Sequence, residues 1–317
     1  MNNNTSIIVF TNKRAFQLDA FINSAIIFFP YLKLPINIIY HYDSKHHRSY
    51  KKLFSKWKDY ISVYQRNGKH NQINYFELMR PLNLLWYLKF KWIRQFYDNF
   101  KELLQEILLK LDTQFVLLST DDQVFYKQTH INTHIFDVIT NFPKKYSYRL
   151  TSNHNFNDEN RFHRLSVKSI GDFNYLYWKA NSQPPNTYWK YRFNVDGTIY
   201  DKNLLLKLIS KFIFNMPTTL EGIGLWESRF RGYFNNCMGT YNRTYIGIQL
   251  SNIQQTTETP AAKFDLNALM ELYLKDYTLD FKSLDINENI YIYVPKNIKI
   301  LKNNKQFLLL ENSQIVE

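Results

Sequence analysis

The sequence predicts an α/β fold: a Rossmann-like, doubly wound and mostly parallel central sheet, then an α+β half and a short β-rich extension. Three observations predict it. Over the first 130 residues, β-branched and aromatic runs alternate with helical patterns, the order that builds a parallel sheet. Three of those runs end in polar segments, TNKR (11–14), HYDS (41–44) and TDDQ (120–123), where the ligand crevice of an open sheet lies. The chain of 317 residues, 45% hydrophobic, is long enough to bury a core, and it has no apolar run long enough to span a bilayer.

Each element has its own signal. SIIVF (6–10) reads as the first strand; the residues before it lack the basic region of a signal peptide. In AFQLDAFINSAIIFF (15–29), Phe16, Ala20, Phe21, Ala25 and Phe28 fall at helical spacing, and Pro30 lies just past the end. INIIYHY (36–42) is the second strand, SYKKLFSKWKDY (49–60) a charged helix and ISVYQR (61–66) the third strand. Two helical segments, 73–90 and 91–111, then lead to the central strand FVLLS (115–119), and Val124-Phe125-Tyr126 restarts a strand.

The second half changes character. KYSYRL (145–150) and YWKYRFNVDGTIY (188–200) read as strands, separated by a polar loop over 151–187 with Pro184-Pro185. TTLEGIGLWESRF (218–230) begins a helix, NRTYIGIQLSN (242–252) looks like a hairpin, and 266–284 is a helix with its exit. The tail, 290–310, reads as two or three short strands with a turn at Asn303-Asn304. One domain is expected: a donor half (1–127), an acceptor half (128–285) and an extension (286–317).

Composition removes several classes. There are 8 glycines, where average usage gives about 22. No G-x-x-x-x-G-K-[ST] or G-x-S-x-G exists, so P-loop NTPases and α/β-hydrolases drop out. GIGLWE (222–227) opens no βαβ unit and lacks the third glycine of a dinucleotide site. The single cysteine, Cys237, excludes an internal disulfide framework and points to a reducing cytoplasm. The net charge of +13 favours anionic partners: nucleotide phosphates, a lipid-phosphate acceptor or an anionic membrane surface. It is dispersed, with no basic helix, zinc spacing or RNP-like motif, so nucleic acid is not expected. HINTH (130–134) spaces two histidines like a zinc protease, but Ile131 stands where the glutamate is needed.

Asp121 and Asp122 pose the central question. Adjacent carboxylates at the end of an apolar strand repel each other and lose solvation unless something positive neutralises them. Either they face solvent on a turn, or they hold a divalent cation, which takes one or two carboxylates plus substrate phosphate. For a proton acceptor there are two candidates. Asp196 precedes Gly197 in NVDGT, a sequence that also suits a hairpin turn. Glu221 lies three residues after Thr218, which also suits a capping box.

The order of these features resembles the GT-A fold of nucleotide-sugar-dependent glycosyltransferases, whose D-x-D element ends a central strand; LLSTDDQVFY resembles its x-D-D-x-x-F variant. SYRL (147–150), YWKYRFNVDGTIY (188–200), PTTLEG (217–222), SNIQQ and LNALMELYLKD add a narrower likeness, to a bacterial group associated with surface-polysaccharide synthesis. Thr120 stands where a full D-x-D has its first Asp, Thr218 replaces Asn and Asp276 replaces a late Gly.

The resemblance implies a nucleoside-diphosphate donor, UDP foremost, and a glycan or lipid-linked glycan acceptor at the inner face of the cytoplasmic membrane. It implies that Thr11, Asn12, Arg14, Tyr40, Asp43 and Asp121 bind the donor nucleotide, and that Asp122 with Asp121 holds Mn²⁺ or Mg²⁺. Asp196 or Glu221 would be catalytic, with Arg149, Trp189, Tyr191 and Trp226 on the acceptor. The rivals are a sugar nucleotidyltransferase, whose Gly-rich loop is missing after SIIVF, and a non-catalytic basic protein that binds glycan or nucleic acid.

Overall fold

Strand β1 (Thr5–Asn12) is buried along nearly its whole length, because both faces of its sheet are covered. A computed structural model gives the architecture over residues 4–67, 98–154, 165–183, 188–211, 214–251, 262–287, 292–311 and 314–316. After β1 come α1 (Ala15–Phe28), β2 (Leu32–His41), α2 (His47–Lys56), β3 (Ile61–Gln65), α3 (Phe100–Lys110), β4 (Phe115–Thr120) and β5 (Gln123–Phe125). The middle runs α4 (Thr133–Asn141), β6 (Tyr146–Arg149), β7 (Ser166–Ile170), β8 (Phe173–Lys179), β9 (Thr198–Asp201), α5 (Lys202–Ser210) and α6 (Pro217–Arg231). The chain closes with β10 (Asn236–Thr240), β11 (Tyr245–Ile248), α7 (Leu266–Leu274), β12 (Thr278–Leu279), β13 (Ile292–Tyr293), β14 (Asn297–Lys302), β15 (Lys305–Leu310) and β16 (Ile315–Val316).

The central sheet of this α/β fold is mixed, in the order β3-β2-β1-β4-β9-β6-β10-β8-β7. Its N-terminal part, β3 to β4, is parallel throughout; β9 enters antiparallel to both β4 and β6. Alternate residues of each strand serve opposite layers. Ile7, Val9, Ile38, Phe115 and Leu117 join α1, α2, α4 and α7 in one core. Ile8, Phe10, Ile39, Val116 and Leu118 join α3, α5 and α6 in the other. Burial on both faces explains why these strands read as continuous apolar runs. In the C-terminal extension β14, β15 and β16 join β12 in a small antiparallel sheet.

Several expectations change. The polar loop over 151–187 contains the antiparallel hairpin β7–β8. The aromatic run 188–200 is a strand only from Thr198; Tyr188–Lys190 is a 3₁₀ turn. Trp189, Phe193 and Val195 are buried there without strand pairing, so hydrophobicity marked burial and not extension. Residues 242–252 form no hairpin: β11 pairs with β5 and β13 in a separate three-stranded sheet. The helix expected over 73–90 lies outside the described residues. The Asn303-Asn304 turn joins β14 to β15, both residues at positive φ (50° and 62°), as a two-residue hairpin requires.

For function the important feature is the order β2-β1-β4. The chain winds outward from β1 to β3, then returns to β1's other side with β4. That reversal is a topological switch point, and the crevice lies beyond the carboxyl ends of β1 and β4.

Candidate active site

The switch point sets the loop after β1 against the loop after β4. Asp121 is buried there, and its Oδ2 accepts the Thr11 hydroxyl at 2.7 Å and the Asn12 N–H at 3.1 Å. The Thr11 proton is thus committed, so the Tyr50 hydroxyl donates to Thr11 Oγ1 at 2.7 Å and itself accepts the Arg14 N–H at 3.2 Å. The positive charge that the aspartate pair needs is Arg14. Its Nη1 reaches Asp121 Oδ1 at 3.2 Å and Asp122 Oδ2 at 3.0 Å, and its Nη2 donates to the Ser251 carbonyl at 2.6 Å. Gln249 Nε2 also donates to Asp122 Oδ2, at 2.6 Å. Burial, opposed by Arg14 and aided by the Asp122 charge, lifts Asp121 to about 6.

Asp122 belongs to a second acidic pair, with Asp196. Thr120 Oγ1 is 2.7 Å from Asp122 Oδ1 and 2.9 Å from Asp196 Oδ1. A hydroxyl has one proton, so both bonds exist together only when one carboxyl is protonated. Burial and the Asp122 charge push Asp196 up to about 7, and the hydrogen bond from Thr120 opposes them. Burial and the Asp196 charge likewise lift Glu221 to about 8, against a backbone hydrogen bond at Val195 and the Arg149 charge. Four carboxyl groups, Asp121, Asp122, Asp196 and Glu221, therefore act on one another in succession. Gly197 fixes where Asp196 points: it has φ +75°, and a Cβ there would sit 2.3 Å from the Tyr245 ring.

Among solved structures the chain is similar to TarS of S. aureus, at 13% identity and a TM-score of 0.42, over 90% of this chain and 41% of that one. This chain thus spans less than half of that protein's length. It is similar to 4-diphosphocytidyl-2C-methyl-D-erythritol synthase from Anaerococcus prevotii (13% identity, TM-score 0.36, 86% and 96% covered). It is also similar to mouse xyloside xylosyltransferase 1 in its apo form (11%, 0.33, 72% and 83%). No family model matches the sequence, and no curated protein matches it.

The other residues singled out from sequence fall into three groups. Thr11, Asn12, Arg14, Asp121, Asp122, Asp196 and Glu221 are brought together as described. Glu221 is not a capping residue, because α6 begins at Pro217 and the Thr219 hydroxyl accepts the Met216 N–H at 3.1 Å. Asp43 caps the turn after β2: it accepts the His46 N–H at 3.2 Å and pairs with Lys13 Nζ at 2.9 Å. Tyr40 is packed in a tyrosine stack, its ring 5.5 Å from Tyr42 and 5.9 Å from Tyr50.

Among the residues expected on an acceptor, Arg149 is buried, its guanidinium 5.3 Å from the centre of the Trp178 ring, and it donates to the Tyr191 carbonyl. Trp189 is buried edge-on against Trp178, so its ring has no open face for a sugar. Tyr191 is exposed. Trp226 lies in α6, its side chain outside the described residues. His130 precedes α4 and His134 lies within it, so the two do not share a helix face. Cys237 is buried and structural. Among the described residues no three His, Cys, Asp or Glu side chains are grouped to hold a metal ion.

Sequence reasoning missed Gln249, Ser251 and Tyr50. Gln249 lies 127 positions from the aspartate it holds, and no local pattern announces such a partner.

Proposed function

We propose that this chain is a glycosyltransferase that moves a sugar from a nucleoside-diphosphate donor, UDP foremost, to a hydroxyl of a cell-surface glycan acceptor. One observation carries the reading: the Thr120 hydroxyl joins Asp122, at the switch point, to Asp196, on the acceptor half. A donor site and a proton acceptor thus share one hydrogen-bonded centre. The donor diphosphate lies beyond β1 and β4, where Arg14 offers it a guanidinium. As the sugar transfers, its bond to the diphosphate oxygen breaks and the nucleoside diphosphate leaves with the electron pair. The acceptor oxygen forms the new bond, and its proton passes to an Asp196 oxygen. Asp122, joined to Asp196 through Thr120, raises the proton affinity of that oxygen by its charge.

A divalent cation fits the donor set. When ionised, Asp121, Asp122, Asp196 and Glu221 face only Arg14 and Arg149, two cations against four carboxylates. Asp122, with Asp121, would hold the ion through hard oxygens, and one or two carboxylates suffice when phosphate completes the shell. Bound there, it would supply positive charge for the leaving diphosphate.

The test is titration calorimetry with UDP, with and without Mn²⁺, alongside transfer assays of Asp196→Asn. UDP binding strengthened by Mn²⁺ is expected. Asp196→Asn should lose about 10²–10⁴-fold in transfer while binding UDP like wild type. A fully active Asp196→Asn would remove the base, and pyrophosphate release from a nucleoside triphosphate with a sugar phosphate would replace the transferase with a nucleotidyltransferase.

A further inference from the structure

Helix α6 runs from the candidate site to the surface. Glu221 lies near its start and Phe230 near its end, about 14 Å apart along the axis. Phe230 is 78% exposed, more than any other large hydrophobic residue described. Arg229 and Arg231 flank it, both exposed. Arg231 lines a shallow hollow with Lys207 and Lys211 of the neighbouring α5 end, and among the described residues no acidic side chain lines it. Lys101, at the start of α3, reaches the same corner, donating to the Ser210 carbonyl at 3.0 Å. Helix dipoles account for cations at two C-termini, and Phe230 adds a large exposed apolar surface beside them.

We infer that this corner docks the protein on an anionic lipid surface, with Phe230 entering the headgroup region and the surrounding lysines and arginines on lipid phosphates. An exposed aromatic with arginines on either side in the chain, next to a lysine-lined hollow, has the two components that interfacial binding combines: apolar insertion and attraction to anionic lipid. Among the described residues no helix is long and apolar enough to cross a membrane, so contact through them would be peripheral. Rigid α6 would then hold the acidic line a fixed distance from the bilayer.

The experiment is co-sedimentation of the full chain with phosphatidylcholine vesicles, with and without phosphatidylglycerol, at low and high salt. Wild type should sediment with the anionic vesicles only, and salt should release it. Phe230→Ser and the double variant Lys207→Glu/Lys211→Glu should each weaken binding by about tenfold or more. Both changes lie on exposed side chains, and melting temperatures should stay at the wild-type value. UDP titration of the same variants should be unaffected, which keeps this test separate from the donor-site reading. Failure of wild type to sediment with anionic vesicles overturns the inference, as does unchanged binding by both variants. Preference for DNA in competition would also overturn it, because the corner would then be a general polyanion site.

Discussion

Arg14 decides how two adjacent aspartates can be buried. One nitrogen of its guanidinium serves both carboxylates, and removing it leaves two like charges out of water with no counter-ion. Arg14→Met should therefore destabilise the fold by about 3–5 kcal/mol, measured by urea unfolding at pH 7.5. Arg14→Lys keeps the charge but not the planar fork, and should lose less. Wild-type stability in Arg14→Met would show that the guanidinium is not the neutralising group. Thr120 carries a second prediction. Its hydrogen bond favours ionised Asp196, and a base must be ionised to act. The rate should rise with pH through a midpoint near 7, and Thr120→Val should move that midpoint upward. A midpoint that stays put would break the link between Thr120 and the proton acceptor.

At the scale of elements, the sequence was most readable where one physical rule acted alone. Strands β1 and β4 were legible because both faces are buried and their centres, residues 7–10 and 115–118, are unbroken apolar runs. The polar ends of β1 and β4 were legible for the same reason: charge follows burial abruptly there. Residues 188–197 were not, because Trp189 and Phe193 are buried by loop packing with the same hydrophobicity a strand would need. The β7–β8 hairpin was hidden by its exposed, largely polar edge strand. Arg14 was named as a nucleotide ligand, but its partners lie 107 and 108 positions away, beyond any spacing rule. The short connection between Asp196 and β9 gives the element-scale prediction. Gly197→Ala puts a side chain at positive φ against Tyr245. Left-handed backbone costs about 1–2 kcal/mol for an alanine, and the overlap adds about 1–3 kcal/mol. The melting temperature should drop, and transfer should fall further than UDP binding because Asp196 is displaced. An unaltered melting temperature would mean that the turn and the ring have room to move.

Over the whole molecule, buried Asp121 and half-buried Asp196 and Glu221 set how stability depends on pH. Asp121, Asp196 and Glu221 stand at about 6, about 7 and about 8 in the folded chain, against roughly 4 when unfolded. Between those limits the folded protein binds more protons than the unfolded one, so stability is greatest at the acid end and is lost as pH rises. The melting temperature should fall from pH 5 to pH 8. Glu221→Gln, which removes one of these charges, should be more stable than wild type at pH 8 and little different at pH 5. A cation held by the same oxygens competes with protons, so Mn²⁺ should raise the melting temperature more at pH 8 than at pH 5.5. Stability that climbs with pH would mean the acidic line is ionised and compensated within the chain. A normal pH trend with no Mn²⁺ effect at pH 8 would keep these carboxyls and remove the metal. Only a falling profile that Mn²⁺ reverses at high pH supports both the charge imbalance and the ion proposed to correct it.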